Sequence, residues 1–204
     1  VYILSIDDKT LCSEEYHTIM AIGPSFKQWP KGNRNNYKSK EYKKKLKLDK
    51  DSILIIEGLH ALNDDLTRSV ASDKKFKIYI SPLTELNIDT HNRISTTDCR
   101  LLRRIVRDSI FRGASASDTL NMWKNVRKVE EEEVIPYIND ADEIFNTSLV
   151  YELGVLKTYA EPLLFSVLEE DSNYDEAIRL INLFRLILGM PSDEVPSDSL
   201  IREF

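Results

Sequence analysis

The sequence predicts an α/β fold in which a parallel sheet is flanked by helices. Two short apolar runs, residues 52–56 and 76–80, are typical of strands buried in a parallel sheet. Residues 59–72 between them have a helical pattern, so strand, helix and strand follow one another at the spacing of a right-handed βαβ unit. This succession is the main reason for predicting the α/β class.

A further strand is expected at the beginning of the chain. Residues 1–6 form an apolar run that ends at Asp7 and Asp8, and we interpret it as another buried strand of the parallel sheet. The chain opens within this strand without a leader pattern, so we expect residues to precede Val1. Residues 9–50 have no sustained periodicity and contain turn formers, which predicts a long, loop-rich insertion whose lysine-rich end is a solvated surface.

The second half of the chain has helical patterns. Thr96 or Thr97 can cap a helix that continues to Arg112, and a second helix is expected from Ser117 until Pro136 ends it. A short strand at 143–146 is followed by long helical patterns at 149–168 and 174–188. No repeat or linker divides the sequence, so we expect residues 1–204 to form a single domain.

Composition excludes several classes of protein. With 204 residues, of which 42% are apolar and 30% charged, the chain can form a compact domain, and no apolar run is long enough to span a bilayer. Cys12 and Cys99 form no CxxC motif, which argues against a disulfide scaffold and a cysteine-rich zinc site and suggests a reducing, cytoplasmic location. The net charge of −6 argues against nucleic-acid binding.

Positive charge is nevertheless concentrated in one segment. Residues 93–112 contain six arginines against two aspartates, and four of the arginines share one face of the predicted helix: Arg100, Arg103, Arg104 and Arg107. Guanidinium groups at this spacing repel one another unless anionic oxygens neutralise them, and a nucleotide polyphosphate would do so. The alternative is a surface network with Asp98, Asp108 or the run 130–133, and the sequence leaves both interpretations open.

Acidic residues at strand ends suggest a second functional element. Asp7 and Glu57 each follow an expected strand, and ligands of parallel sheets bind beyond the carboxyl ends of the strands. These carboxylates could hold Mg²⁺ and activate a hydroxyl group, although each could equally cap a helix or form a turn. His60 lies nearby, but no histidine has metal-ligand spacing, and no GxSxG motif indicates a nucleophile.

Five segments together resemble a known family. The segments are 55–63 (IIEGLHALN), 77–81 (KIYIS), 92–108 (NRISTTDCRLLRRIVRD), 141–147 (ADEIFNT) and 151–153 (YEL). They resemble the uridine kinase and phosphoribulokinase family of P-loop kinases, and most of all its bacterial-type uridine kinase-like branch. The resemblance is continuous from about residue 50 to 204, and Ser5-Ile6-Asp7-Asp8 is similar to a strand end of the family.

The resemblance implies a P-loop kinase-like fold and ATP-dependent phosphorylation of a nucleoside 5′-hydroxyl, with ATP and Mg²⁺ as cofactors. It implies an arginine-rich lid at 93–115 that closes over the phosphates, and C-terminal helices at 148–190. By this resemblance, Asp7 would be the general base and a metal ligand, and Glu57 would be the second metal ligand. Arg104 and Arg107 would be catalytic, and the nucleotide would be bound by Arg100, Arg103, Arg104, Arg107 and Arg112. The substrate would be bound by Asp8, His60 and Arg100.

Partners are also implied by the resemblance. They are a nucleoside substrate and a nucleotide, without a membrane or nucleic acid, and the chain could form a homo-oligomer. Members of this branch are often joined to a threonyl-tRNA-synthetase-like N-terminal region, which would lie outside this chain.

The sequence departs from the family pattern at three places. The phosphate-binding motif GxxxxGK[ST] is absent from it, and in the family that motif would precede Val1. Lys9-Thr10 replaces an aromatic pair, and Val129 replaces a glycine. Two other functions therefore stay open, a non-catalytic nucleotide-binding or regulatory module and a phosphoribulokinase-like sugar kinase.

Overall fold

A computed structural model describes residues 2–5, 18–22, 27–28, 53–58, 61–67 and 70–203. The contacts divide the chain into two compact units. The first comprises 1–80 and 128–145, and the second comprises 81–127 and 146–204. The two units are described separately below.

The first unit contains a six-stranded sheet. Its strands are β1 (Tyr2–Ser5), β2 (Thr18–Ile22), β3 (Lys27–Gln28), β4 (Ile53–Glu57), β5 (Lys75–Ser81) and β6 (Glu143–Asn146). They lie in the order β3-β2-β4-β1-β5-β6. Together with the helices described below, the sheet makes this a mixed α/β protein, as the sequence predicts.

The sheet is mixed, so strand direction confirms the prediction of a parallel sheet only in part. β1 pairs antiparallel with both β4 and β5, and β2 pairs antiparallel with β4. β6 runs parallel to β5, since the N–H of Asp142 donates to the carbonyl of Lys77 and the N–H of Thr147 donates to that of Ser81. β4, β5 and β6 thus share one direction, whereas β1 lies between β4 and β5 and runs against them. Apolar runs report burial, and burial does not depend on strand direction.

One local prediction in this unit is wrong, and a second is corrected only in its described part. In the described part of the β4–β5 connection, the helical turns are two short 3₁₀ segments, Asp64–Thr67 and Ser72–Lys74, rather than the predicted α-helix. The segment 9–50, which we expected to be loop-rich, contributes β2 and β3. A strand of five residues or fewer carries a weak periodic signal, and Gly23-Pro24 between β2 and β3 reads first as a turn.

The second unit is mainly helical. It contains α1 (Thr96–Arg112), the greater part of α2 (Ala116–Glu133), α3 (Glu152–Phe165) and α4 (Tyr174–Phe184). α3 packs against both α1 and α4. Their apolar faces form one continuous core that includes Leu102, Ile105, Leu156, Leu180 and Phe184.

Helix capping explains where α1 and α2 begin. The hydroxyl of Ser95 accepts a hydrogen bond from the N–H of Thr97, so the cap lies just before the two threonines that we expected. Ser115 and Asp118 bind one another reciprocally, and the side chain of each accepts the backbone N–H of the other. This pair starts α2 close to the predicted position.

Candidate functional site

The arginine-rich segment is the helix α1. Its apolar face is buried in the core of the second unit, and Leu101, Leu102, Ile105 and Val106 are almost fully enclosed. Gly113 ends the helix in the left-handed conformation, with φ of 62°, and its N–H donates to the carbonyls of Asp108 and Ser109. Burial of one face determines the direction in which the arginines project.

Arg103 forms a buried ion pair with Glu152, the first residue of α3. Nε of Arg103 contacts Oε1 of Glu152, and Nη2 lies 2.5 Å from Oε2 and 2.8 Å from the carbonyl oxygen of Thr147. Only 11% of the Arg103 side chain and 1% of the Glu152 side chain are exposed. Burial alone would lower the pKa of Arg103, but the hydrogen bond and charge of Glu152 raise it, so the guanidinium stays charged.

Cys99 belongs to the same buried contact between α1 and α3. Its Sγ lies 3.2 Å from Oε1 of Glu152. Burial first, and then the negative charge of Glu152, raises the pKa of the thiol to about 12. The thiol is therefore a neutral packing group and a poor nucleophile at physiological pH, which agrees with the lack of any sequence motif for nucleophilic catalysis.

A second group of charges surrounds Asp108, and we call Asp108, Arg104, Arg107 and Arg112 the Asp108 cluster. The side chain of Asp108 is fully buried, and its Oδ1 lies 3.0 Å from Nη2 of Arg107 and 2.8 Å from Nη1 of Arg112. Nε of Arg104 lies 3.2 Å from Oδ2. One carboxylate thus faces three guanidinium groups.

The Asp108 cluster keeps contact with solvent. The exposed fraction of the side chain is 39% for Arg107 and 36% for Arg112, against 20% for Arg104. Three guanidinium groups thus meet one carboxylate, and two of them, those of Arg107 and Arg112, are the more exposed. A guanidinium that is half-buried and held by a carboxylate can still donate to the oxygens of an anion.

The other charges of α1 are arranged differently. Asp98, which we had considered as a partner of the α1 arginines, instead accepts both Nη groups of Arg179 on α4, at 2.9 and 2.7 Å. Arg100 is half-buried and Arg93 is exposed. The sequence left open a network of the α1 arginines with nearby acidic residues. Asp108 does pair with arginines of α1, whereas Asp98 joins α1 to α4.

The predicted acidic site can be compared only in part. Asp7, Asp8 and His60 lie outside the described residues, and Glu57 is described only as the last residue of β4. Ser5 at the end of β1 pairs with Ile53 at the beginning of β4. The carboxyl ends of β1 and β4 therefore lie at opposite ends of this strand pair. Asp7 itself lies outside the described residues, so its pairing with Glu57 stays a prediction.

No group of three or more histidine, cysteine, aspartate or glutamate side chains that could hold a metal ion occurs among the described residues. In the same part of the chain, no helix has the length and apolar character needed to cross a membrane.

Two features of the candidate site have little or no signal in the sequence. Asp108 and Glu152 were not singled out as the partners that organise the arginines, and Asp108 had only been considered as part of a surface network. The signal for Asp108 is its spacing, because Arg104 and Arg112 lie four residues before and after it, on one helix face. Nothing in the sequence indicates the pairing of Arg103 with Glu152, 49 residues away.

The chain was compared with known proteins. The model of the phosphoribulokinase / uridine kinase family matches residues 22–152, which is more than half of the chain. The comparison with curated proteins and the comparison with solved structures found no match.

Proposed function

Because the chain belongs to the phosphoribulokinase / uridine kinase family, a family of kinases, we propose that it transfers a phosphoryl group from ATP to the 5′-hydroxyl of a nucleoside. The observation that carries this proposal is the Asp108 cluster. It gathers three arginines around one carboxylate, and two of them, Arg107 and Arg112, are partly exposed. Such a cluster is suited to the phosphate chain of a nucleotide.

The chemistry of phosphoryl transfer explains why arginines would be useful here. Negative charge on the phosphate oxygens must be neutralised and the reacting groups aligned, and little covalent chemistry is asked of the protein. Arg104 and Arg107 would donate N–H groups to the phosphate oxygens and stabilise the charge that moves onto the leaving phosphate. Arg112 would contribute one more cation at the end of α1.

Arg103 would have a different part in this arrangement. Its guanidinium is already bound by the carboxylate of Glu152 and the carbonyl of Thr147. We therefore propose that Arg103 holds α1 against α3, and that nucleotide binding depends mainly on the arginines of the Asp108 cluster and on Arg100. This changes the role that the resemblance implied for Arg103.

The resemblance supplies the rest of the proposed site. Asp7 would accept the proton of the substrate hydroxyl, and Asp8 and His60 would contact the nucleoside. Mg²⁺, when bound, would offset charge on the phosphates of ATP, and carboxylates are suitable ligands for it. Asp7 and Glu57 are the carboxylates that the resemblance offers as its ligands.

A substrate panel tests the function. The purified protein would be incubated with Mg²⁺ and ATP and with uridine, cytidine, other nucleosides or ribulose 5-phosphate, and ADP formation would be measured by a coupled assay. We expect turnover with at least one pyrimidine nucleoside and none with the sugar phosphate when the protein assayed includes the phosphate-binding motif, which residues 1–204 lack. Residues 1–204 alone should turn over poorly or not at all. The product should carry the new phosphate at the 5′-position, which phosphorus NMR can establish.

Other results would select the alternatives. Turnover with the sugar phosphate alone would replace the nucleoside by a phosphoribulokinase-like substrate. Binding of ATP without turnover of any compound would indicate a nucleotide-binding or regulatory module. Arg104→Ala and Arg107→Ala should depress turnover much more than thermal stability. Arg179→Gln serves as their control, since Arg179 pairs with Asp98 and Glu176.

A further inference from the structure

The position of Asp108 in α1 is unusual for a charged side chain. It is fully buried, although carboxylates are rarely fully buried unless they are paired. Its partners Arg104, Arg107 and Arg112 all come from the same helix, at positions −4, −1 and +4. A carboxylate that joins one helix to itself does little to hold different elements of the fold together.

Electrostatics indicates what the carboxylate does instead. Three guanidinium groups gathered at one place on a helix repel one another, and without a central anion their long side chains would spread into solvent in many rotamers. Asp108 offsets this repulsion and limits the rotamers of its partners. Because Asp108 is buried, it can contact the arginines only from the inner side of the cluster.

The arginines can contact a second anion at the same time. Arg107 uses Nε and Nη2 toward Asp108, at 3.2 and 3.0 Å, and a guanidinium carries five N–H groups in all. Arg107 and Arg112 each expose more than a third of the side chain. A phosphate oxygen can therefore approach from solvent while the carboxylate keeps its position.

We infer that Asp108 is a positioning residue for phosphate binding: it holds the guanidinium groups of Arg107 and Arg112 in the orientation in which their outer N–H groups meet the phosphate chain of a nucleotide. This inference rests on the proposed function. It assigns to Asp108 an action through the arginines and no contact with the substrate. Preorganised donors bind an anion more tightly because the rotamers are already restricted before binding.

The test measures binding of inorganic tripolyphosphate by isothermal titration calorimetry. Asp108→Asn keeps the shape of the side chain and removes its charge, and we expect its affinity for tripolyphosphate to fall about tenfold or more. Asp98→Asn is the matched control, since it makes the same chemical change on the same helix in a residue that pairs with Arg179. Its affinity should stay within about twofold of wild type.

A double-mutant cycle separates positioning from a general loss of stability. Once Arg107→Gln has removed the guanidinium, a further change of Asp108→Asn should weaken binding much less than it does in the wild-type background, since residues in contact are coupled. In the kinase assay, Asp108→Asn should raise KM for ATP and lower kcat, and leave KM for the nucleoside unchanged. A purely structural role would reduce the folded fraction and change neither KM.

Each outcome decides the question. Unchanged or tighter binding by folded Asp108→Asn would overturn the inference, because the carboxylate would then be irrelevant or would compete with phosphate. If Asp108→Asn does not fold, Asp108→Glu is tested instead, since it keeps the charge and displaces it by one methylene. Weaker binding of tripolyphosphate by Asp108→Glu supports the inference, and binding as tight as that of wild type overturns it. Wild-type protein that neither binds tripolyphosphate nor turns over any substrate would overturn the proposed function itself.

Discussion

Cys99 shows how one buried residue can make stability depend on pH. Its thiol pKa is raised to about 12, above the ordinary value of 9.0, by burial and by the charge of Glu152. Above pH 9 the unfolded chain loses the thiol proton, whereas the folded chain keeps it. The folded state then binds more protons, so the free energy of unfolding must fall as the pH rises through this range.

We therefore predict that wild type loses stability relative to Cys99→Ala between pH 9 and pH 11. The difference in the free energy of unfolding should change by about 1.4 kcal/mol per pH unit, because one proton is linked to unfolding. Urea denaturation at a series of pH values measures it. A difference that is independent of pH would mean that the thiol pKa is ordinary in the folded protein.

At the scale of secondary-structure elements, the pair Arg103–Glu152 joins α1 to α3. Both side chains are buried, and the guanidinium also donates to the carbonyl of Thr147, which precedes α3. Breaking a buried ion pair by removing one partner leaves the other charge without compensation, which is much more costly than losing an exposed pair.

Glu152→Ala is accordingly expected to lower the free energy of unfolding by about 3 to 5 kcal/mol. Asp98→Ala provides the comparison, because its pair with Arg179 is far more exposed and should cost only about 1 kcal/mol or less. Both values can be measured by urea denaturation at pH 7. A similar small loss in the two variants would show that the Arg103–Glu152 pair does not hold the helices together.

The second unit should respond as a whole because its helices share one core. Residues of α1, α3 and α4 contribute to the same buried cluster. The amides of Ile105, Leu156 and Leu180 should therefore exchange with deuterium through one common opening, with similar free energies. Native-state hydrogen exchange in low urea measures this. Exchange of α4 at a much lower free energy would show that it opens independently.

The relation between sequence and structure differs from one element to the next. The strand Glu143–Asn146 was predicted with its observed bounds, and α1 and α2 begin within one residue of the predicted positions. These elements have strong local signals, namely capping side chains, a glycine at the end and a regular apolar face. The long patterns at 149–168 and 174–188 contain α3 and α4 but exceed them, because helix ends depend on packing as well as on periodicity.

The sequence indicated which residues form the cationic face of the candidate site, but not which of them contact each other. The helical spacing of Arg104 and Arg107 indicated a cationic face, and Arg112 belongs to the same cluster. The separation of Arg103 from that cluster follows from a contact with Glu152, and distant contacts leave no periodic signal in the sequence. The expected metal pair of Asp7 and Glu57 depended on strand direction, which the apolar runs do not encode.

The sequence by itself determined the α/β class, the cationic helix and the resemblance to a kinase family, because each depends on residue types at short spacing. Only the tertiary structure decided that β1 runs against its neighbours, that Arg103 is held by Glu152, and that three arginines gather around a buried Asp108. Those features depend on which distant segments pack together, and packing is governed by burial and charge over the whole chain.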